Sequence, residues 1–151
     1  MILYLDASAL VKRYVAETGS IEVNEAIVEA ELTGTAIITR AEVTAALAKS
    51  VRVGALTAED ALAALRIFKN EWFDLVRVQV TELLVAKAEM LAWEYQLRGY
   101  DAIQLAAALV WQEAMGVTVM MAVFDQRLWA AARQVGLTPY PKDLAALQKA
   151  S

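Results

Sequence analysis

Four acidic residues stand where a chain alternating between strand and helix places chemistry. Asp6 follows the apolar run Ile2-Leu3-Tyr4-Leu5, and Glu42 lies three residues into a helical pattern that starts at Thr39. Asp101 opens the apolar stretch Ala102–Met115, and Asp125 follows the run Val117–Phe124. In a parallel sheet the carboxyl ends of the strands share one edge, so acids far apart in sequence converge there. Four carboxylates brought together repel one another and must either take up protons or bind a cation. A divalent ion among them lowers the pKa of water, polarises a phosphoryl oxygen and stabilises a leaving oxygen. The expectation is a metal site for cutting nucleic acid, with Asp6, Glu42, Asp101 and Asp125 as metal ligands and catalytic groups.

Two absences narrow the chemistry further. The chain has no Cys and no His. That excludes disulfides, thiol nucleophiles, Ser-His-Asp catalysis and the usual zinc centres. Oxygen-only ligands suit Mg²⁺ or Mn²⁺. The net charge of −4 runs against tight non-specific binding of nucleic acid. The two are reconciled if the acids cluster at a metal and cations rim it. Lys12, Arg13, Arg40, Arg98 and Arg127 all fall near one of the acids, although each serves equally well as a solvated charge or a neutraliser. Taken singly, each acid is more simply a helix cap, because Asp and Glu suit helix N-termini. Thr39-x-x-Glu42 reads as a capping box, and Asp101-x-x-Gln104 resembles one. Taken together they are less simply caps, since the helices predicted after Ser20, Thr57 and Thr81 use hydroxyls instead.

The elements that must position these acids follow from the apolar pattern. Strands are predicted at Ile2–Leu5, Ala36–Ile38, Leu75–Val80 and Val117–Phe124, with a short edge strand at Thr138–Pro141. Helices are predicted at Ala7–Ala16, Ile21–Glu31, Thr39 to about Gly54, Thr57 to about Asn70, Thr81–Leu97, Ala102–Met115 and Gln126–Val135, with a final one within Lys142–Ser151. The alternation implies an α/β fold with a mostly parallel sheet of four to five strands covered by helices. The length of 151 residues and the lack of linkers or repeats imply a single domain, 1–151. Apolar residues make up 59%, yet no stretch is long enough to cross a bilayer. No secretory leader is recognisable, and a cytoplasmic location is expected. The surplus apolar content implies a well-filled core and extra surface buried against another chain. Trp72, Trp93, Trp111 and Trp129 are expected in the core, and any left exposed marks an interface.

The segments YLDASALVKRY, TRAEVTAAL, LRGYDAIQLAAAL and VFDQRLWAAARQVGL resemble the PIN-domain family, in particular VapC-type toxins. The resemblance runs in order over Met1–Thr138. It implies a three-layer α/β/α sandwich and a Mg²⁺- or Mn²⁺-dependent endoribonuclease whose conserved acids match Asp6, Glu42, Asp101 and Asp125. It also implies a homodimer and a cognate antitoxin, seated near Val43–Leu65. There are departures. Gln104 stands where many relatives carry His, a position not assigned to catalysis. Val123 replaces a hydroxyl, so Asp125 is expected to bind metal less directly. Ser8 matches a family hydroxyl, and capping the first helix is its equally weighted alternative role. The RNA-binding residues expected are Ser8, Lys12, Arg13, Arg40 and Arg98.

Two other readings stay open on the residues alone. One is a non-catalytic regulatory or assembly module in which the acids serve as caps. The other is a metal-dependent phosphatase on a similar sheet, disfavoured because no Lys stands at a strand end.

Overall fold

The computed structural model describes residues 1–151. Its elements run β1 (Ile2–Leu5), α1 (Ala7–Tyr14), α2 (Ser20–Glu29), β2 (Leu32–Ala36), α3 (Thr39–Arg52), α4 (Ala58–Glu71), β3 (Val76–Val78), α5 (Glu82–Tyr95), α6 (Gly99–Met115), β4 (Val119–Ala122), α7 (Gln126–Gln134), β5 (Thr138–Tyr140) and α8 (Leu144–Lys149). All five strands are parallel, in the order β3-β2-β1-β4-β5. The chain winds outward from β1 through β2 to β3, then returns to the opposite side of β1 with β4 and β5. The direction therefore switches between β1 and β4, and a crevice opens at their carboxyl ends.

β1 is buried on both faces, as its unbroken apolar run requires. Leu3 and Leu5 pack with Leu10, Val23, Val43 and Phe68 from α1 to α4. Ile2 and Tyr4 pack on the other face with residues of α5, α6 and α7. The result is the expected three-layer sandwich. Each fully buried leucine here contributes roughly 1.5–3 kcal/mol by leaving water.

Several boundaries differ from the sequence expectation. The second strand is Leu32–Ala36 rather than Ala36–Ile38. Gly34 masks it in sequence, because glycine weakens a strand interior. The glycine is required by packing: a Cβ there would lie 2.8 Å from the Trp111 ring. Ser20 does not cap α2. Gly19 does, at φ +94, and a Cβ on it would collide with Phe124. The Ser20 hydroxyl instead donates to Val15 O, at 2.9 Å. The Thr39–Glu42 capping box does not form, since both side chains turn to Gln104. Likewise α6 starts at Gly99, which puts Asp101 inside the first turn rather than at the cap.

Of the tryptophans, Trp72 and Trp111 are buried. Trp129 is partly buried and donates to Pro141 O. Trp93 departs from the expected core position and is 88% exposed, on α5 with exposed Leu83 and Met90. No helix is long and apolar enough to cross a membrane.

Candidate active site

Asp6 sits directly after β1, in the crevice at the switch. Its backbone N–H donates to Ala122 O at 3.0 Å, so β1 and β4 stay paired up to the acid. Asp6 is also the N-cap of α1, accepting from Ser8 N at 3.1 Å. The Ser8 hydroxyl donates to the same carboxylate oxygen, Oδ2, and accepts from Phe124 N at 3.0 Å. Ser8 thus ties the end of β1 to the loop after β4, and the cap of α1 belongs to Asp6.

Only 3% of Asp6 is exposed. Burial pushes its carboxyl up to about 7; the Ser8 hydrogen bonds oppose this, and the charges of Glu42 and Asp101 add to it. Glu42, on the first turn of α3, is raised too, chiefly by burial. A Gln104 hydrogen bond pulls Glu42 down and the charge of Asp101 pushes it up. Asp6, Glu42 and Asp101 therefore feel one another across elements that are distant in sequence.

Asp101 and Asp125 share a cation. Arg98 Nε donates to Asp101 Oδ2 at 3.0 Å, and its Nη2 reaches Asp125 Oδ2 at 3.4 Å. Asp125 is the N-cap of α7 and accepts from Leu128 N at 2.9 Å through Oδ1. As placed, no three acids converge closely enough to hold an ion by themselves. The donor set nonetheless suits a hard divalent cation: oxygen atoms only, with a buried carboxyl destabilised by its neighbours.

Among the cations expected to rim the site, Arg98 faces the acids. Lys12 lies 3.0 Å from Glu17 and over the Phe124 ring, next to the loop that leads to Asp125. Arg40 is exposed beside the first turn of α3, and Arg127 donates to Gln96 O. Arg13 is not brought to the acids. It forms a two-pronged ion pair with Glu71 of α4, at 2.6 and 3.2 Å, and donates to Asn24 of α2. Tyr14 donates to the same glutamate.

Sequence reasoning read Gln104 as a capping-box partner of Asp101 and gave it no role at the site, but its side chain is a buried polar group that bonds Glu42 and Thr39 instead. Gln104 is fully buried on α6, with Nε2 donating to Glu42 Oε1 and to Thr39 Oγ1, each at 2.8 Å. Its Oε1 accepts from the buried Tyr4 hydroxyl at 2.5 Å. The available signal was a lone amide in the otherwise apolar run AIQLAAALV. A buried amide demands partners.

Away from the acids, Leu47, Ala48 and Val51 of α3 face Ala61, Leu62 and Leu65 of α4 across a shallow apolar groove.

Residues 3–133 match the family model for the PIN domain. The chain is 33% identical over 144 residues to ribonuclease VapC45 of Mycobacterium tuberculosis, covering 95% of this chain and 97% of that protein. Its fold is similar to that of PAE2754 from Pyrobaculum aerophilum, with a TM-score of 0.65 at 23% identity, covering 99% of this chain and 90% of that one. It is also similar to the crystal structure of VapBC2 from Rickettsia felis bound to a promoter DNA fragment, with a TM-score of 0.59 at 14% identity over 92% and 97% of the two chains. A parallel sheet in the order 3-2-1-4-5, acids at its switch point and a family match over most of the length lead to one assignment: the chain belongs to the PIN domain family.

Proposed function

We propose that this PIN domain is a metal-dependent endoribonuclease, the toxin of a VapBC-type toxin–antitoxin pair. The observation that carries the reading is the buried Asp6 carboxyl at the switch point between β1 and β4, with Glu42 and Asp101 near enough to act on its charge. Family membership and the ribonuclease relative that spans nearly the whole chain support it.

Asp6, Glu42 and Asp101 would hold Mg²⁺ or Mn²⁺, with Asp125 less directly involved because both its oxygens are engaged, Oδ1 by the α7 cap and Oδ2 by Arg98. A divalent ion there supplies Lewis acidity at the phosphoryl group and makes water a better nucleophile near neutral pH. Ser8 fixes the orientation of Asp6 through two hydrogen bonds. Arg98, 79% exposed beside Asp101 and Asp125, and the exposed Arg40 would meet the phosphates of RNA, whereas Lys12 is held by Glu17 and the Phe124 ring. Arg13, saturated by Glu71 and Asn24, holds α1 to α4 and α2 instead of touching RNA.

The apolar groove between α3 and α4 takes an amphipathic helix of the antitoxin, and the exposed stripe Leu83, Met90 and Trp93 lies in a homodimer interface. A cytoplasmic location is part of this reading, because a cellular RNA target and a partner antitoxin would be met there.

Cleavage of total cellular RNA, with Mn²⁺ and with EDTA, tests the reading. Discrete cut ends are expected only with metal, and Asp101→Asn is expected to lower the rate at least a hundredfold while the protein still melts cooperatively. Metal-independent cutting, or full activity in Asp101→Asn, would overturn it.

A further inference from the structure

We infer that Gln104 is a positioning residue for Glu42, acting through a buried hydrogen-bonded frame that joins the two helical layers across the carboxyl edge of the sheet. The inference rests on the metal-nuclease reading and assigns a role to a residue outside the four acids.

The frame has a determined direction. An ionised Glu42 only accepts hydrogen bonds, so the Gln104 nitrogen must face it. The Gln104 oxygen then faces Tyr4, whose hydroxyl must donate. The second Nε2 hydrogen goes to Thr39 Oγ1. Thr39 Oγ1 stands 2.8 Å from Thr35 Oγ1, and the Thr35 hydroxyl donates to Leu5 O at 2.6 Å. Leu5 immediately precedes Asp6. Each end of the amide is thereby fixed, and no buried polar side-chain atom lacks a partner.

Tyr4, Thr35, Thr39 and Gln104 are all fully buried, whereas Glu42 is only half-buried. A half-buried glutamate has several rotamers open to it, and Gln104 selects one. The selection links Glu42 of one helical layer, through α6 of the other, to the peptide that carries Asp6. An amide also does not titrate in the working range, so the donor facing Glu42 persists at every pH at which the fold survives.

Outer groups that orient metal ligands typically alter metal affinity by about 10–100-fold when removed. Gln104→Met keeps the shape and removes both ends of the amide. It also strands the Tyr4 hydroxyl, so the pair Tyr4→Phe with Gln104→Met is the second variant, which leaves no orphaned phenol. Mn²⁺ is titrated calorimetrically, without RNA, into the wild type, Glu42→Gln, Gln104→Met, the Tyr4/Gln104 pair and that pair combined with Glu42→Gln. Thermal melting in EDTA shows which variants fold.

The expected result is Mn²⁺ binding weakened about 10–100-fold in the folded Gln104 variants, with no further weakening when Glu42→Gln is already present. Wild-type affinity in folded Gln104 variants, alongside weakened Glu42→Gln, would overturn the positioning role and leave the metal site standing. Full additivity with Glu42→Gln would overturn it as well, because Gln104 would then act elsewhere. Absence of Mn²⁺ binding by the wild type would overturn both the metal site and this role.

Discussion

Replacing Asp6 with Asn should make the metal-free protein more stable, and more so as pH rises. A carboxyl displaced from 3.8 to about 7 costs about 4 kcal/mol to ionise inside the fold, at about 1.4 kcal/mol per pH unit. Between those two values the folded chain keeps a proton that the unfolded chain has released. Stability therefore falls as pH rises from about 4 to about 7, and the loss is complete above that. Asn stands in for the protonated acid: it is neutral, has nearly the same shape, and its Oδ1 accepts both Ser8 hydrogen bonds. The expected gain for Asp6→Asn is then under about 2 kcal/mol at pH 5 and about 4 kcal/mol at pH 8. Urea denaturation in EDTA, followed by tryptophan fluorescence at pH 5, 6, 7 and 8, measures it. The outcome that refutes the reasoning is a difference that does not change with pH, or an Asn variant that is the less stable of the two at pH 8. Either would mean that Asp6 ionises without penalty and is no more than a cap. With saturating Mn²⁺ in place of EDTA the advantage should shrink, because only the acid gains from a cation.

Three further outcomes follow from the packing. Gly34→Ala puts a methyl group 2.8 Å from the Trp111 ring and should destabilise the fold by about 1–3 kcal/mol through overpacking, read from urea midpoints. Trp93→Glu places a charge on the exposed α5 stripe proposed as a homodimer interface and should give a monomer in light scattering after size exclusion, with a melting temperature that no longer rises with protein concentration; a wild type that is itself monomeric would refute the interface. Glu71→Gln removes the partner shared by Arg13 and Tyr14 and should cost on the order of 1 kcal/mol, since the ion pair is about one-third exposed on both sides. In Arg13→Met, by contrast, RNA cleavage per folded molecule should be unchanged, and a large loss there would return Arg13 to the RNA site.

The sheet and its acids were legible because their signals are local or periodic. The run Ile2–Leu5 ends in Asp6, and the run containing Val119–Ala122 leads to Asp125. Each announces a buried strand with an acid at its tip. What sequence obscured were the places where tertiary contact overrides local preference. Gly34 argues against a strand until Trp111 is seen against it. Thr39 and Glu42 match a capping box, but a buried amide from another helix competes for both side chains and wins. Arg13 lies near Asp6 in sequence, yet its position on α1 turns it toward Glu71, a residue 58 positions away. Charge proximity along the chain located Arg98 beside Asp101 but not Arg13 beside Asp6, because which way a helical side chain faces is set by packing and not by sequence distance.

The pairing of β1 with β4 also bears on when the protein becomes active. Ile2 pairs with Val119, partners separated by more than a hundred residues, and such long-range parallel pairing is slow to form. Asp6 precedes β4 in the chain, but its backbone N–H and the Ser8 hydroxyl find their partners, Ala122 and Phe124, only after the segment through β4 has left the ribosome. Ribosome-bound fragments ending before β4 therefore lack the crevice altogether. For a protein proposed to cut RNA, the site would therefore be assembled only once β4 is made and paired with β1.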